Sequence, residues 1–188
     1  MKKITTIIFA VACVVAAQAQ TWTHDKTHSK LGFGITHLLI SEVQGSFRTF
    51  DVKVTATKDD LSDAVFEVTA DVASIDTDVE GRDNDLKSDK YFDVAKFPTL
   101  TFKSTSFKKG DGNKYALVGD LTMKGVTKSL TFEVVLTGPV EHPRSKKPMA
   151  GLKISGTFKR SDFGVGHTNF ASLGDEVTLN AVGRIIKE

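Results

Sequence analysis

The chain has a single cysteine among its 188 residues, Cys13, and that cysteine stands inside an apolar N-terminal stretch. Lys2 and Lys3 open the stretch, Ile4 to Ala17 form its body, and Ala17-Gln18-Ala19 ends it in a small-x-small pattern, as in a secretory signal peptide cut after Ala19. The run is too short and too poorly flanked for a spanning helix. Residues 20–188, read as one domain, then contain no cysteine at all, which excludes disulfides and leaves stability to the core. A lipidated Cys13 is the competing reading, but Ala10-Val11-Ala12 is a poor leader and the apolar run continues past the cysteine. The short basic signal is of bacterial type, and the expected destination is the periplasm of a two-membrane cell.

An excess of charge of either sign is also missing. The 25 basic residues face 23 acidic ones, and Lys2 and Lys3 belong to the signal, so the mature balance is 23 against 23. A neutral chain without a basic tail argues against nucleic acid as partner and against electrostatic docking on anionic lipid. Signatures of catalysis are scarce too. No G-x-S-x-G elbow is present, and Gly32-x-Gly34 lies inside a strand pattern with no helix after it, so it is no dinucleotide fingerprint. His24, His28 and His37 lack the close spacing of most metal sites and have no cysteine to assist, so no metal and no cofactor are expected. Prolines number four, and three of them fall between Gly138 and Pro148, which reads as a loop.

What the chain does have is period-two alternation along nearly its whole length. Phe33, Ile35 and His37 share a face with Leu31; Val52, Val54 and Ala56 share another; Phe66 and Val68 are followed by Ala70 and Val72. Leu100 and Phe102, then Leu117 and Leu121 with Tyr115 and Met123, then Phe132 with Leu130, Val134 and Leu136 repeat the pattern. Leu152, Ile154 and Phe158 precede a loop at Ser161–Asp175, and Val177, Leu179, Ala181 and Ile185 form the last such face. Eight strands result, each with one apolar and one wet face. They suit an antiparallel sandwich or a closed barrel; closure removes exposed edges, and strand glycines at 32, 34, 119, 156 and 183 suit the bends of a small barrel.

One segment breaks the alternation. Ser74–Phe102 contains Thr77 and Glu80 at capping-box spacing, which predicts a short helix over Asp78–Lys87, and then the apolar Tyr91, Phe92, Val94 and Phe97 before Pro98. The helix offers only Val79 and Leu86 to a core, so it must lie on something else. It reads as a lid over the barrel end, at about residues 76–95. The charged pairs Arg82-Asp83 and Arg160-Asp162 fall near that end and are candidates for contact with a ligand head group.

These residues resemble a known family. Asp25-x-x-His28-Ser29 with Phe33 and His37, Ser74-Ile-Asp-Thr77, Arg82-Asp83-x-x-Leu86-x-Ser88, Phe92-Asp93-x-x-x-Phe97-Pro98, Gly119-Asp-Leu-Thr122 with Gly125-Val-Thr-Lys128, and Arg160-x-Asp162-Phe163-Gly164 are together similar to the YceI-like, lipid- or polyisoprenoid-binding family. One departure is Asp85, where many members carry histidine. The resemblance implies an all-β, eight-stranded, lipocalin-like barrel that is exported and sheaths a long isoprenoid or similar lipid, without catalysis. The lumen expected to hold it comprises the inward residues Phe33, Ile35, His37, Phe66, Val68, Phe102, Leu117, Leu121, Phe132 and Phe158. Phe92, Phe97 and Phe163 join them from the insert and the last loop, and Arg82, Asp83 and Arg160 stand at the mouth. Expected partners are the lipid and, transiently, a membrane or membrane protein, with the chain a monomer or homodimer. The alternatives are a barrel hydrolase or isomerase using His37 with an acid, and a structural module whose barrel is filled by side chains.

Overall fold

Side chains that alternate in and out along a strand require a wall with two faces, and here the wall closes on itself. The computed structural model describes residues 18–188, so the signal-peptide expectation, Cys13 included, lies outside the described residues except for its last two positions. β1 (Gln20–His24) and β2 (Lys30–His37) are halves of one strand broken by a 3-10 turn at Lys26–His28. β3 (Ser41–Phe47) and β4 (Phe50–Ala56) form a second broken strand, and β5 (Val65–Asp71) runs through another such turn into the short β6 (Ile75–Asp76). β7 (Thr99–Lys109), β8 (Lys114–Met123), β9 (Val126–Glu141), β10 (Pro148–Lys159) and β11 (Leu173–Lys187) are continuous. All pairings are antiparallel, and β11 seals the sheet by pairing with β2 at Leu173↔His37 and with β1 at Trp22↔Lys187. With each broken strand counted once, this is the closed eight-stranded barrel that the alternation and the family resemblance implied.

The two ends differ. At one, the chain start, residues 57–64 and the β7–β8 and β9–β10 turns meet, and the fully buried Trp22, Val54, Leu61 and Val134 plug the interior. At the other lie the β2–β3 and β8–β9 turns, the insert before β7 with its helix α1 (Glu80–Lys87), and the loop before β11. Residues 164–172 of that loop are stitched to the insert: the Gly166 N–H donates to the Lys90 carbonyl at 3.1 Å, and Lys124 Nζ donates to the carbonyls of Asp89 and Gly164.

Local details depart from the sequence reading. α1 starts at Glu80, not Asp78, because Asp78 takes a left-handed conformation (φ +62°) that a helix does not admit. The expected Thr77–Glu80 capping box is replaced by Asp83, whose Oδ1 accepts from the Thr77 N–H at 2.9 Å and from its hydroxyl at 2.5 Å. The β8–β9 turn is Lys124-Gly125, both at positive φ, rather than Gly125-Val126-Thr127, as suits the twist of a two-residue hairpin. β9 runs through Pro139 to Glu141, shortening the expected loop; the proline sits where the pairing with β10 shifts register. A second shift, between Ser104 and Ser106 on β7, swaps the faces, so that Phe107 returns inward to stack on Tyr115 at 4.4 Å.

The seam between β1 and β2 is pinned to β11 by a polar knot. Asp25 accepts from the Thr27 N–H and hydroxyl and from Arg184 Nε at 2.8 Å, and its own N–H donates to the Arg184 carbonyl. Hydrogen bonds from Thr27, then from Arg184, hold the Asp25 carboxyl well below the usual carboxylate range. A depressed carboxylate contributes stability that is present above its unfolded pKa, about 4, and is lost as pH falls below it. Asp25→Asn should therefore lower stability at pH 7 and flatten its fall between about pH 4 and pH 2, read by urea melts at each pH; an unchanged acid limb would remove Asp25 from it.

Candidate functional site

The barrel interior holds a cavity of about 680 Å³ that reaches the insert end and is lined almost wholly by apolar side chains. All the residues expected in the lumen line it except Phe97 and Phe163. Phe97 lies instead against the β8–β9 turn, where only glycine at 125 leaves room for its ring. Phe163 is fully buried behind the wall and meets Phe158 edge-on at 5.8 Å.

Glycines keep the lumen open. Phe33, Phe102 and Phe132 lie folded against Gly45, Gly119 and Gly156, where an added Cβ would come within 2.5, 2.4 and 2.7 Å of the ring. Each ring thus lies across a neighbouring strand rather than standing in the lumen. Leu31, Ile35, Val43, Val177 and Leu179, on β2, β3 and β11, are only half-buried although apolar, and all five line the cavity.

Polar groups gather at the insert end. Arg82, Asp85, His37 and His167 border the cavity there, with Asp85 and His167 exposed. Arg82 spends Nε and one terminal nitrogen on the Thr77 hydroxyl and carbonyl, at 2.8 and 2.7 Å, and its shaft lines the opening. Asp83, expected beside it, turns away from the cavity to bind Thr77. Arg160 is 3% exposed and its partner is not Asp162. Its guanidinium donates to four main-chain carbonyls, those of Gly174, Val165, His167 and Leu173, at 2.7–2.9 Å. Burial pushes its pKa down, against the pull of Asp175. It is the post around which the 164–174 loop is wound.

The three N-terminal histidines are separate. His24 stacks on Phe50 at 4.9 Å and accepts from the Val52 N–H, His28 belongs to the Asp25 knot, and only His37 reaches the opening. Among the described residues no three His, Cys, Asp or Glu side chains come together as a metal-ligand group. Sequence reasoning missed Val43, Phe47 and Phe50 on the second broken strand, and Ile75, Tyr91 and His167 elsewhere in the lining. Phe50 alternates with Val52 and was legible; Ile75, Tyr91 and His167 reach the cavity from irregular segments that carry no period.

A closed antiparallel eight-stranded barrel with an apolar cavity is an architecture able to hold one small or slender guest. The YceI-like domain model matches residues 22–184, and the chain belongs to that family. Its relatives include UPF0312 protein SA2479 of Staphylococcus aureus strain N315, 37% identical over 165 residues, covering 85% of this chain and 94% of the relative. A Campylobacter jejuni YCEI protein of known structure is 30% identical, with a TM-score of 0.74, over 82% of this chain and 90% of the other. A polyisoprenoid-binding domain from Saccharophagus degradans, implicated in plant cell wall breakdown, shares the fold at 15% identity and a TM-score of 0.66, over 90% and 99%.

Arg160→Lys should unwind the 164–174 loop, since one ammonium with three donors does not span four carbonyls held by a planar fork. Leaving buried carbonyls unpaired costs roughly 2–3 kcal/mol; urea melts and protease cutting within 164–172 measure it, and wild-type values for both would show that the loop stands without its post.

Proposed function

We propose that this protein is a non-catalytic carrier or reservoir that holds one long-chain isoprenoid, or a similar lipid, in the barrel. The observation that carries this reading is the apolar cavity of about 680 Å³, closed at the Trp22 end and bordered by polar side chains at the other. The volume is within the range of roughly 300–1,000 Å³ found for small-molecule sites. The name of the Saccharophagus relative as a polyisoprenoid-binding domain supports the same choice of guest. Burying ten methylene-sized units contributes about 8 kcal/mol, equivalent to micromolar affinity before the cost of association is deducted. Such binding needs no directional contact along the chain. The wall then selects for slenderness, and Arg82, Asp85, His37 and His167 meet whatever polar group remains at the opening. The compartment we propose is the periplasm, on the strength of residues 1–19 read as a cleaved signal.

Organic extraction of the purified protein followed by mass spectrometry should return a long-chain lipid at about one per chain. No lipid recovered, together with no uptake of added polyprenyl lipid, would leave a barrel without a guest. Gly156→Val should drive the Phe132 ring into the lumen, because the new side chain occupies the ring's place against the wall. We expect long-chain uptake to fall at least tenfold while the overpacking costs about 1–3 kcal/mol of stability. Equal uptake by the variant would place the guest elsewhere.

A further inference from the structure

The tip of the β2–β3 turn contradicts ordinary turn chemistry. Leu38, Leu39 and Ile40 are 54, 71 and 87% exposed, and Leu38 and Leu39 hold φ of +53° and +62°, a conformation that glycine or asparagine adopts far more readily. Phe170, 42% exposed, stands on the adjoining loop with one face of its ring over the Arg160 guanidinium, 5.4 Å from the ring centre. The two segments form one surface: the Leu38 N–H donates to the Ser172 carbonyl at 3.0 Å, and His37 pairs with Leu173. Neither 36–41 nor 167–173 contains a Lys, Arg, Asp or Glu, in a chain that is 26% charged. His37, His167 and Ser172 also line the cavity, so the patch is part of its rim.

We propose that this rim inserts into the surface of a phospholipid bilayer. Three observations select that occupant. The patch is four side chains, far fewer than the roughly 20–30 residues each partner brings to a standard protein interface. An uncharged tip enters the interfacial region of a bilayer without stripping water from ions, and with no basic cluster nearby it needs no anionic lipid. The patch is also continuous with the apolar cavity, so a water-insoluble guest crosses from bilayer to lumen without entering solvent. That loading route rests on the lipid-binding reading; the docking itself does not.

Flotation of the purified protein with phosphatidylcholine vesicles tests the docking. The wild type should co-float, and the Leu39→Glu/Ile40→Glu double variant should partition at least tenfold more weakly with an unchanged melting temperature, since both residues face solvent. An Ile40→Trp variant supplies a second readout. Its emission should shift to the blue and be quenched by brominated lipid on vesicle addition, while Trp22, 1% exposed at the plugged end, stays constant. Equal flotation of wild type and double variant, or no blue shift at position 40, would overturn the proposal. So would a concentration-dependent dimer that the double variant abolishes, with no vesicle binding, because the patch would then face a second copy. Uptake of detergent-dispersed polyprenyl lipid by the double variant separates the two readings. Retained uptake with lost flotation isolates docking, and no uptake by either form strikes the lipid-binding reading alone.

Discussion

The structure depends on the closure of β11 against the two halves of the first strand. An eight-stranded sheet left open would present two long edges of unpaired N–H and C=O groups, and would have to stack its apolar face on another layer. Sealing the sheet satisfies those groups within the wall itself. The interior then need not be filled from end to end, because the main-chain ladder and one packed end hold the cylinder. The Asp25–Arg184 knot sits where this seam is weakest, at the break between β1 and β2, where pairing with β11 lapses between Lys30↔Val182 and His24↔Ile185.

Within the closed wall the interior divides into a packed end and a hollow one. Trp22, Leu61 and Val54 are fully buried, as in an ordinary core. Toward the insert the same alternation continues with equally large residues, yet a cavity remains, because three phenylalanines lie down across glycines instead of projecting inward. An apolar hollow of this size is unfavourable when empty and poorly satisfied by water, whose hydrogen bonds find few partners on its lining. The wall therefore stores a preference for an apolar guest, in the absence of any specific contact to it.

Much of this was legible in the sequence. Period-two alternation marked an inward face on each of the eight barrel strands, from Leu31 and Phe33 to Leu179, because a pleated wall imposes that period on any chain that forms it, though the half-strands β1 and β3 went unread. Where the period breaks, the reading failed for physical reasons. The bulge at Ser104–Ser106 adds a residue and swaps faces without a proline or glycine to announce it. Thr77 looked like a helix cap because Glu80 follows at the right spacing, but Asp83 offered a competing acceptor and took both of its hydrogens. Arg160 with Asp162 read as a charged pair free to meet a ligand head group, yet burial under the last loop gave Arg160 four carbonyls instead. Sequence proximity identifies possible partners, and the fold's need to satisfy buried carbonyls decided among them.

The longest irregular segments collect at one end. Glu80–Lys87, the insert around it, the Arg160-centred loop and the exposed Leu38–Ile40 tip lie at the hollow end, while the plugged end has its own left-handed residues in Leu61 and Lys146. Three consecutive exposed apolar side chains, Leu38, Leu39 and Ile40, stand at the rim of the cavity, although exposed apolar surface gains nothing for a purely structural cylinder. Their placement around an opening is what a passage requires. The lid supplies polar groups beside the cavity, the loop is held by an internal post rather than by the guest, and the uncovered leucine tip extends the greasy lining outward past the barrel wall. On the function and docking proposed above, entry and selection are separated: slenderness is tested by the wall, inside, while the route to the wall is set by the rim.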